Sequence, residues 1–144
     1  MSIKQVSVFL ENRPGSLNEM TNVLADANID MRALSVAEAA DFGIARIIVD
    51  DVYAASNVLK EAGFIANLTP VLAFAVPDEP GGLNRVLSEF TAEGISIEYM
   101  YASLGGAGDD KAYMIFRVAD VKAAEAALGA RGLKALTLDQ IAES

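Results

Sequence analysis

The chain carries one loop motif twice. Asn12-Arg13-Pro14-Gly15-Ser16-Leu17-Asn18 returns as Asp78-Glu79-Pro80-Gly81-Gly82-Leu83-Asn84, with the two prolines 66 residues apart and no gap needed. The residues downstream of each copy match too. Ala27-Asn28-Ile29-Asp30-Met31 stands against Glu93-Gly94-Ile95-Ser96-Ile97. A period of this length exceeds most solenoid units. It fits two small complete domains of one fold, each carrying the same turn.

The pattern around each copy supplies the rest of such a domain. Residues 5–10 alternate with β-branched and aromatic side chains, which predicts a strand. Pro14 suits the first turn of a helix, where its missing N–H costs nothing. Leu17, Met20, Val23, Leu24 and Ala27 form a helical stripe, and Asn28 is a helix stop. Strands are expected over 29–37 and 43–49, a helix over 53–62 ended by Gly63, and a strand over 64–68. The second half repeats the order: strand 71–76, helix from Leu83, strands 95–103 and 112–118, helix 121–131, strand 134–138. Three extra residues fall near Gly105-Gly106-Ala107-Gly108-Asp109-Asp110, which lengthens that hairpin loop.

The order βαββαβ with right-handed crossovers gives a ferredoxin-like, α+β domain: a four-stranded antiparallel sheet with two helices on one face. Domain boundaries are expected at 1–69 and 70–144. Pro70 is the single breaker between the fourth and fifth strands. The halves are therefore expected to pack side by side about a pseudo-two-fold axis.

Composition removes several function classes. There is no cysteine and no histidine. Disulfides, thiolate metal sites, cysteine nucleophiles and Ser-His triads go with them. Eleven basic residues face 20 acidic ones, a net charge of −9. Nucleic acid and anionic membranes both demand the opposite balance. No apolar run approaches the ~20 residues of a membrane span, and the start lacks a signal-peptide pattern. The expectation is a cytoplasmic protein with no nucleic-acid or membrane partner, no cofactor and no metal site. Gly105-Gly106-Ala107-Gly108 lies between two strands and is no dinucleotide fingerprint.

A strand followed by Asn/Asp-x-Pro-Gly-x-Leu, a helix, a short Asn/Gly-Ile turn and a second strand resembles the ACT domain. The resemblance covers both halves. ACT domains are regulatory modules that bind amino acids at the interface between two domain copies, commonly fused to a metabolic enzyme. No enzyme accompanies the repeat in this sequence. The resemblance therefore implies a stand-alone tandem ACT protein that senses an amino acid. Leu10-Glu11-Asn12-Arg13-Pro14-Gly15 is similar to the loop of phosphoglycerate dehydrogenase regulatory domains, which puts Asn12 on the ligand. The position that carries a second Asn there holds Asp30 in the first half and Ser96 in the second. Leu10 stands where a His is typical, and these departures argue against serine as the ligand.

An amino acid offers a carboxylate that seeks N–H donors and an ammonium that seeks oxygens. A glycine-containing loop that opens a helix offers N–H groups and a positive dipole end. Gly15 in the first copy and Gly81 in the second serve that role, with Pro14 and Ser16 completing the first loop. Asn12, Asp30 and Asp41 are the candidates for the ammonium. Arg13 is placed either to pair with a carboxylate or to stand as a solvated loop cation. Asp78 and Glu79 crowd the second helix start, so the first copy is expected to bind more tightly. Pairing about a two-fold axis would set Ser96, Glu98, Tyr99 and Met100 opposite the first loop. Asp41-Phe42-Gly43 would close over the pocket, or else form a plain turn with Phe42 as a core plug.

Three other readings compete. One is a structural dimerisation module without ligand. Another is an acylphosphatase-like enzyme, which needs a glycine-rich phosphate loop this chain lacks. The third is RNA binding, which needs an aromatic platform with basic neighbours. Neither Ala45-Arg46-Ile47-Ile48 nor Met114-Ile115-Phe116-Arg117 supplies one. The reading carried forward is non-enzymatic: an amino-acid sensor, expected as a homodimer through its edge strands, acting on a metabolic-enzyme partner.

Overall fold

Inward-facing apolar side chains on strands and one-sided stripes on helices decide both halves. A computed structural model describes residues 3–39, 41–104 and 110–142. The elements are β1 (Ile3–Glu11), α1 (Ser16–Asp26), β2 (Met31–Ala39), β3 (Phe42–Val49), α2 (Val52–Glu61), β4 (Ile65–Pro77), α3 (Gly82–Ala92), β5 (Tyr99–Ala102), β6 (Lys111–Arg117), α4 (Val121–Ala130) and α5 (Leu138–Ala142). They divide into a first unit, Lys4–Thr69, and a second unit from Pro70 onward that also takes in the start of the chain. Both are ACT-like α+β units with antiparallel strands.

In the first unit the strand order is β2-β3-β1-β4. Val6, Val8 and Leu10 of β1 meet Ala45, Ile47 and Val49 of β3 on one face of the sheet. Met20 and Leu24 of α1 and Ala55 and Leu59 of α2 cover that face. Each fully buried Leu, Ile or Val contributes about 1.5–3 kcal/mol. The β1–β3 register sets Leu10 opposite Gly43 and Glu11 opposite Phe42. This brings the β2–β3 hairpin beside the loop that leaves β1.

In the second unit the order is β4-β6-β5. Its core centres on three phenylalanines. Phe74 stands 5.9 Å from both Phe90 and Phe116, and the last two are 4.8 Å apart. Leu72, Val86 and Leu128 pack around them.

Several boundaries differ from expectation. The two strands expected over 64–68 and 71–76 are one strand, β4. Pro70 does not break it, because proline removes only a donor, and its carbonyl accepts from Arg117 Nη1 at 2.8 Å. β5 begins at Tyr99 rather than at 95, while Ile95 and Ile97 pack on the core instead of pairing. The described residues 134–138 form no strand. One bond remains there, from the Leu136 N–H to the Ala73 carbonyl at 2.8 Å. Thr137 and Gln140 then exchange reciprocal bonds, Thr137 N to Gln140 Oε1 at 2.8 Å and Gln140 N to Thr137 Oγ1 at 3.2 Å. This capping box turns the chain into α5, whose Ile141 is fully buried. Residues 105–109 of the long hairpin loop lie outside the described residues, as does Ala40.

Candidate functional site

Gly15 sits in the left-handed region at φ 87° and caps α1 without a side chain. A Cβ there would meet open space, so the glycine is required by its backbone conformation alone. Gly81 repeats the arrangement before α3 at φ 81°. By contrast α2 and α4 are capped by Asp51 and Asp120, whose carboxylates accept from Ala54 N and Ala123 N at 3.1 Å. The two helices that open at the repeated motif are the ones left without a side-chain cap.

Two clefts flank the first loop. One, of about 350 Å³, is walled by Phe9, Leu10 and Glu11 of β1, Arg13, Ser16, Glu19, Asp41 and Phe42, with residues 62–65 on its far side. The other, of about 260 Å³, brings in Asn12, Leu17, Val36 and Gly43. The structure thus gathers Asn12, Arg13, Ser16, Asp41, Phe42 and Gly43 around one loop. Pro14 and Gly15 shape the loop without lining either cleft.

Arg13 is a half-exposed cation held in an ion-pair cluster. Its Nε donates to Glu11 Oε2 at 3.0 Å, and its Nη1 and Nη2 donate to Glu19 Oε1 and Oε2 at 3.1 and 2.9 Å. This fork raises the Arg13 pKa above its ordinary value. Hydrogen bonding from Arg13, then its charge, holds the Glu19 carboxyl below its usual range. Asp41 lines the same cleft and makes no hydrogen bond or ion pair among the described residues. Phe42 is not a core plug. It is 39% exposed, with its ring 5.7 Å from that of Phe9, itself 37% exposed.

The remaining candidates lie elsewhere. Asp30 precedes β2, at the end of that strand away from the hairpin. At ~3.3 Å per residue the nine residues of β2 separate it from Asp41 by roughly 30 Å. Its N–H donates to Asp50 Oδ1 at 3.1 Å and its carboxylate takes Arg32 at 3.3 Å. Asp30 therefore does not join Asn12 and Asp41 within the first unit. In the second unit Ser96 and Glu98 border a cleft of about 420 Å³ against α4, and the Glu98 N–H donates to the Arg117 carbonyl at 2.8 Å. Tyr99 opens β5 opposite Arg117. Met100, partly buried, packs on the phenylalanine core.

The second copy of the cleft, about 290 Å³, occupies the equivalent place but is built differently. Ala75 and Pro77 replace Phe9 and Glu11, Arg85 replaces Glu19, and Leu133 replaces Phe64. The Pro77 carbonyl oxygen would lie 2.0 Å from a Cβ on Gly82, where the first copy has the buried Ser16. The second loop is folded down onto its helix start. Sequence reasoning missed Phe9, Glu11, Glu19 and Phe64 as lining residues. The signal for Glu19 was present: positions 13 and 19 are Arg and Glu, while 79 and 85 are Glu and Arg.

The chain belongs to the ACT domain pair family, whose model matches residues 1–142. A protein of Bacteroides thetaiotaomicron with a crystal structure is 39% identical, with TM-score 0.89, covering 98% of this chain and 96% of that one. The fold is shared with the ligand-free regulatory subunit of aspartate kinase from Thermus thermophilus, at 18% identity and TM-score 0.67, covering 90% of each chain. It is shared also with the aspartate kinase regulatory subunit of Thermus flavus, at 13% identity and TM-score 0.63, covering 97% of this chain and 90% of that one. No curated protein matches. Among the described residues no helix is long and apolar enough to cross a membrane, and no group of three or more metal-ligating side chains occurs.

Proposed function

We propose that this chain is a cytoplasmic regulatory sensor that binds a free amino acid in the cleft beside loop 12–16. The observation that carries the reading is the presence of complementary groups on the two adjoining clefts of one loop, Asp41 on the first and the start of α1 at Leu17 on the second. Asp41 offers a carboxylate without a protein partner among the described residues, suited to an ammonium. The start of α1 offers peptide N–H groups and a positive dipole end without a side-chain cap, suited to a carboxylate. The volume of about 350 Å³ lies within the range of small-molecule sites.

The ligand acts by favouring one arrangement of the chain or its assembly over another, and its leverage is bounded by its differential affinity for the two. A homodimer and a metabolic-enzyme partner belong to the same proposal. Support comes from the family and from the fold shared with proteins named as kinase regulatory subunits. The test is titration calorimetry of the full chain against the twenty amino acids at millimolar concentration. Heat of binding is expected for at least one and is lost in Asp41→Asn. No heat and no thermal shift for any of them defeats the reading.

A further inference from the structure

Resting on that reading, we infer that the ligand is a large neutral apolar amino acid, aliphatic or aromatic, and that each chain takes one. Two independent features of the cleft lead there.

The first is its apolar wall. Phe9 and Phe42 line it at 37% and 39% exposure, and Ile65, also on the wall, is 65% exposed. The adjoining cleft adds Val36 at 50%. Exposed large hydrophobic side chains are ordinary singly, whereas a cluster at a cleft marks a surface that something covers. A serine or glycine side chain is too small to cover the tilted Phe9–Phe42 pair. A leucine or phenylalanine side chain can.

The second is charge. Three carboxylates, Glu11, Glu19 and Asp41, line the cleft with one guanidinium, Arg13. That guanidinium is already committed to Glu11 and Glu19 through all three of its nitrogens. An acidic ligand side chain would meet repulsion and find no uncommitted cation. A neutral side chain adds no negative charge beyond the α-carboxylate, which the start of α1 would take, while the ammonium still has Asp41.

The second unit lacks this chemistry at the equivalent place. Ala75 stands for Phe9, and Lys111, paired with Pro77 as Phe42 is with Glu11, stands for Phe42. The Pro77 carbonyl also takes the space at Gly82 that the Ser16 side chain has in the first copy. Hence one ligand per chain.

The experiment titrates the full chain with leucine, isoleucine, valine and phenylalanine against glycine, serine, aspartate and lysine. The apolar set is expected to bind at least about tenfold tighter than glycine, with one site per chain, since each buried methylene is worth several-fold in affinity. Phe9→Ala and Phe42→Ala are each expected to raise the Kd for leucine about tenfold, and by a larger factor than they raise that for glycine. Both side chains are surface residues, and an unchanged melting temperature verifies the fold. Phe42→Leu restores most of the affinity. If serine, aspartate, glycine or lysine binds as tightly as leucine, and Asp41→Asn abolishes that binding, the apolar class is wrong while the sensor reading stands. Two sites per chain of equal affinity overturn the stoichiometry. No binding by any of the eight overturns the apolar class, and the twenty-amino-acid titration then decides the sensor reading.

Discussion

Arg13 and Glu19 form a two-pronged ion pair, Nη1 to Oε1 at 3.1 Å and Nη2 to Oε2 at 2.9 Å, across the turn that opens α1. At the equivalent positions of the second unit, Glu79 and Arg85 make the pair with the charges exchanged, at 2.9 Å. The turn therefore asks for a pair of opposite charges and is indifferent to which end is positive. Placing the cation on the first loop still has a consequence. It brings Glu11 into the cluster through Arg13 Nε, while the acidic surplus of the first cleft comes from Glu11 and Asp41 whichever way the pair is oriented.

Exchanging the first pair tests that indifference. Arg13→Glu and Glu19→Arg should each lower the melting temperature slightly, because each sets like charges across the turn. The double exchange should recover most of the loss. The changes will be a few degrees at most, since exposed pairs are worth little. Thermal melts of the four proteins at low salt read the recovery. Additive losses would show that the two side chains are not coupled.

The same pair sets a pH dependence. The folded Glu19 carboxyl lies below its ordinary value of 4.5 because Arg13 donates to it and attracts it. A depressed folded value contributes stability above the unfolded pKa and loses it as pH falls through the folded one. Wild type should melt above Glu19→Gln at neutral pH, and the gap should close in acid below the folded value of Glu19. Arg13, shifted upward, stays charged throughout. A gap that widens in acid would contradict the assignment.

Two glycines should respond differently to alanine. Gly15→Ala meets no neighbour and bears only the strain of its left-handed backbone, about 1 kcal/mol. Gly82→Ala drives a Cβ against the Pro77 carbonyl at 2.0 Å and must shift the backbone. Overpacking of this kind costs about 1–3 kcal/mol or more. Denaturant titrations should rank Gly82→Ala as the more damaging. Equal costs would mean that the second loop opens freely.

The phenylalanine trio should dominate the second unit. Phe90→Ala removes a ring held edge-on to Phe74 and tilted against Phe116, and a loss of about 3–5 kcal/mol is expected. Urea unfolding measures it. A loss below about 1 kcal/mol would mean that the cavity collapses, which close packing does not allow.

The capped helices offer a milder check. Asp51→Ala and Asp120→Ala each remove a bond to the first turn of their helix, costing about 1 kcal/mol apiece. Asn at either position should retain most of it, as circular dichroism melts would show.

Much of this was written in the chain itself. The duplicated Pro-Gly turn, the alternation in β1 and the stripe Leu17, Met20, Leu24 specify element type because local periodicity decides which face is buried. They led directly to the two ACT-like units and to loop 12–16. Linear order already put Asp30 and Asp41 at opposite ends of one expected strand, but it could not show that Asp30 is taken up by Asp50 and Arg32. Nor could it show that Arg13 is committed to Glu11 and Glu19, that Phe42 faces outward beside Phe9, or that the Pro77 carbonyl lies against Gly82 where the first copy has Ser16. Those outcomes depend on strand register and loop path, which arise only when distant segments pair. The sequence by itself thus determined the repeat, the elements and the loop. Tertiary structure alone decided which charges are left over and which apolar surfaces stay uncovered, because both are remainders after every other group has found its partner.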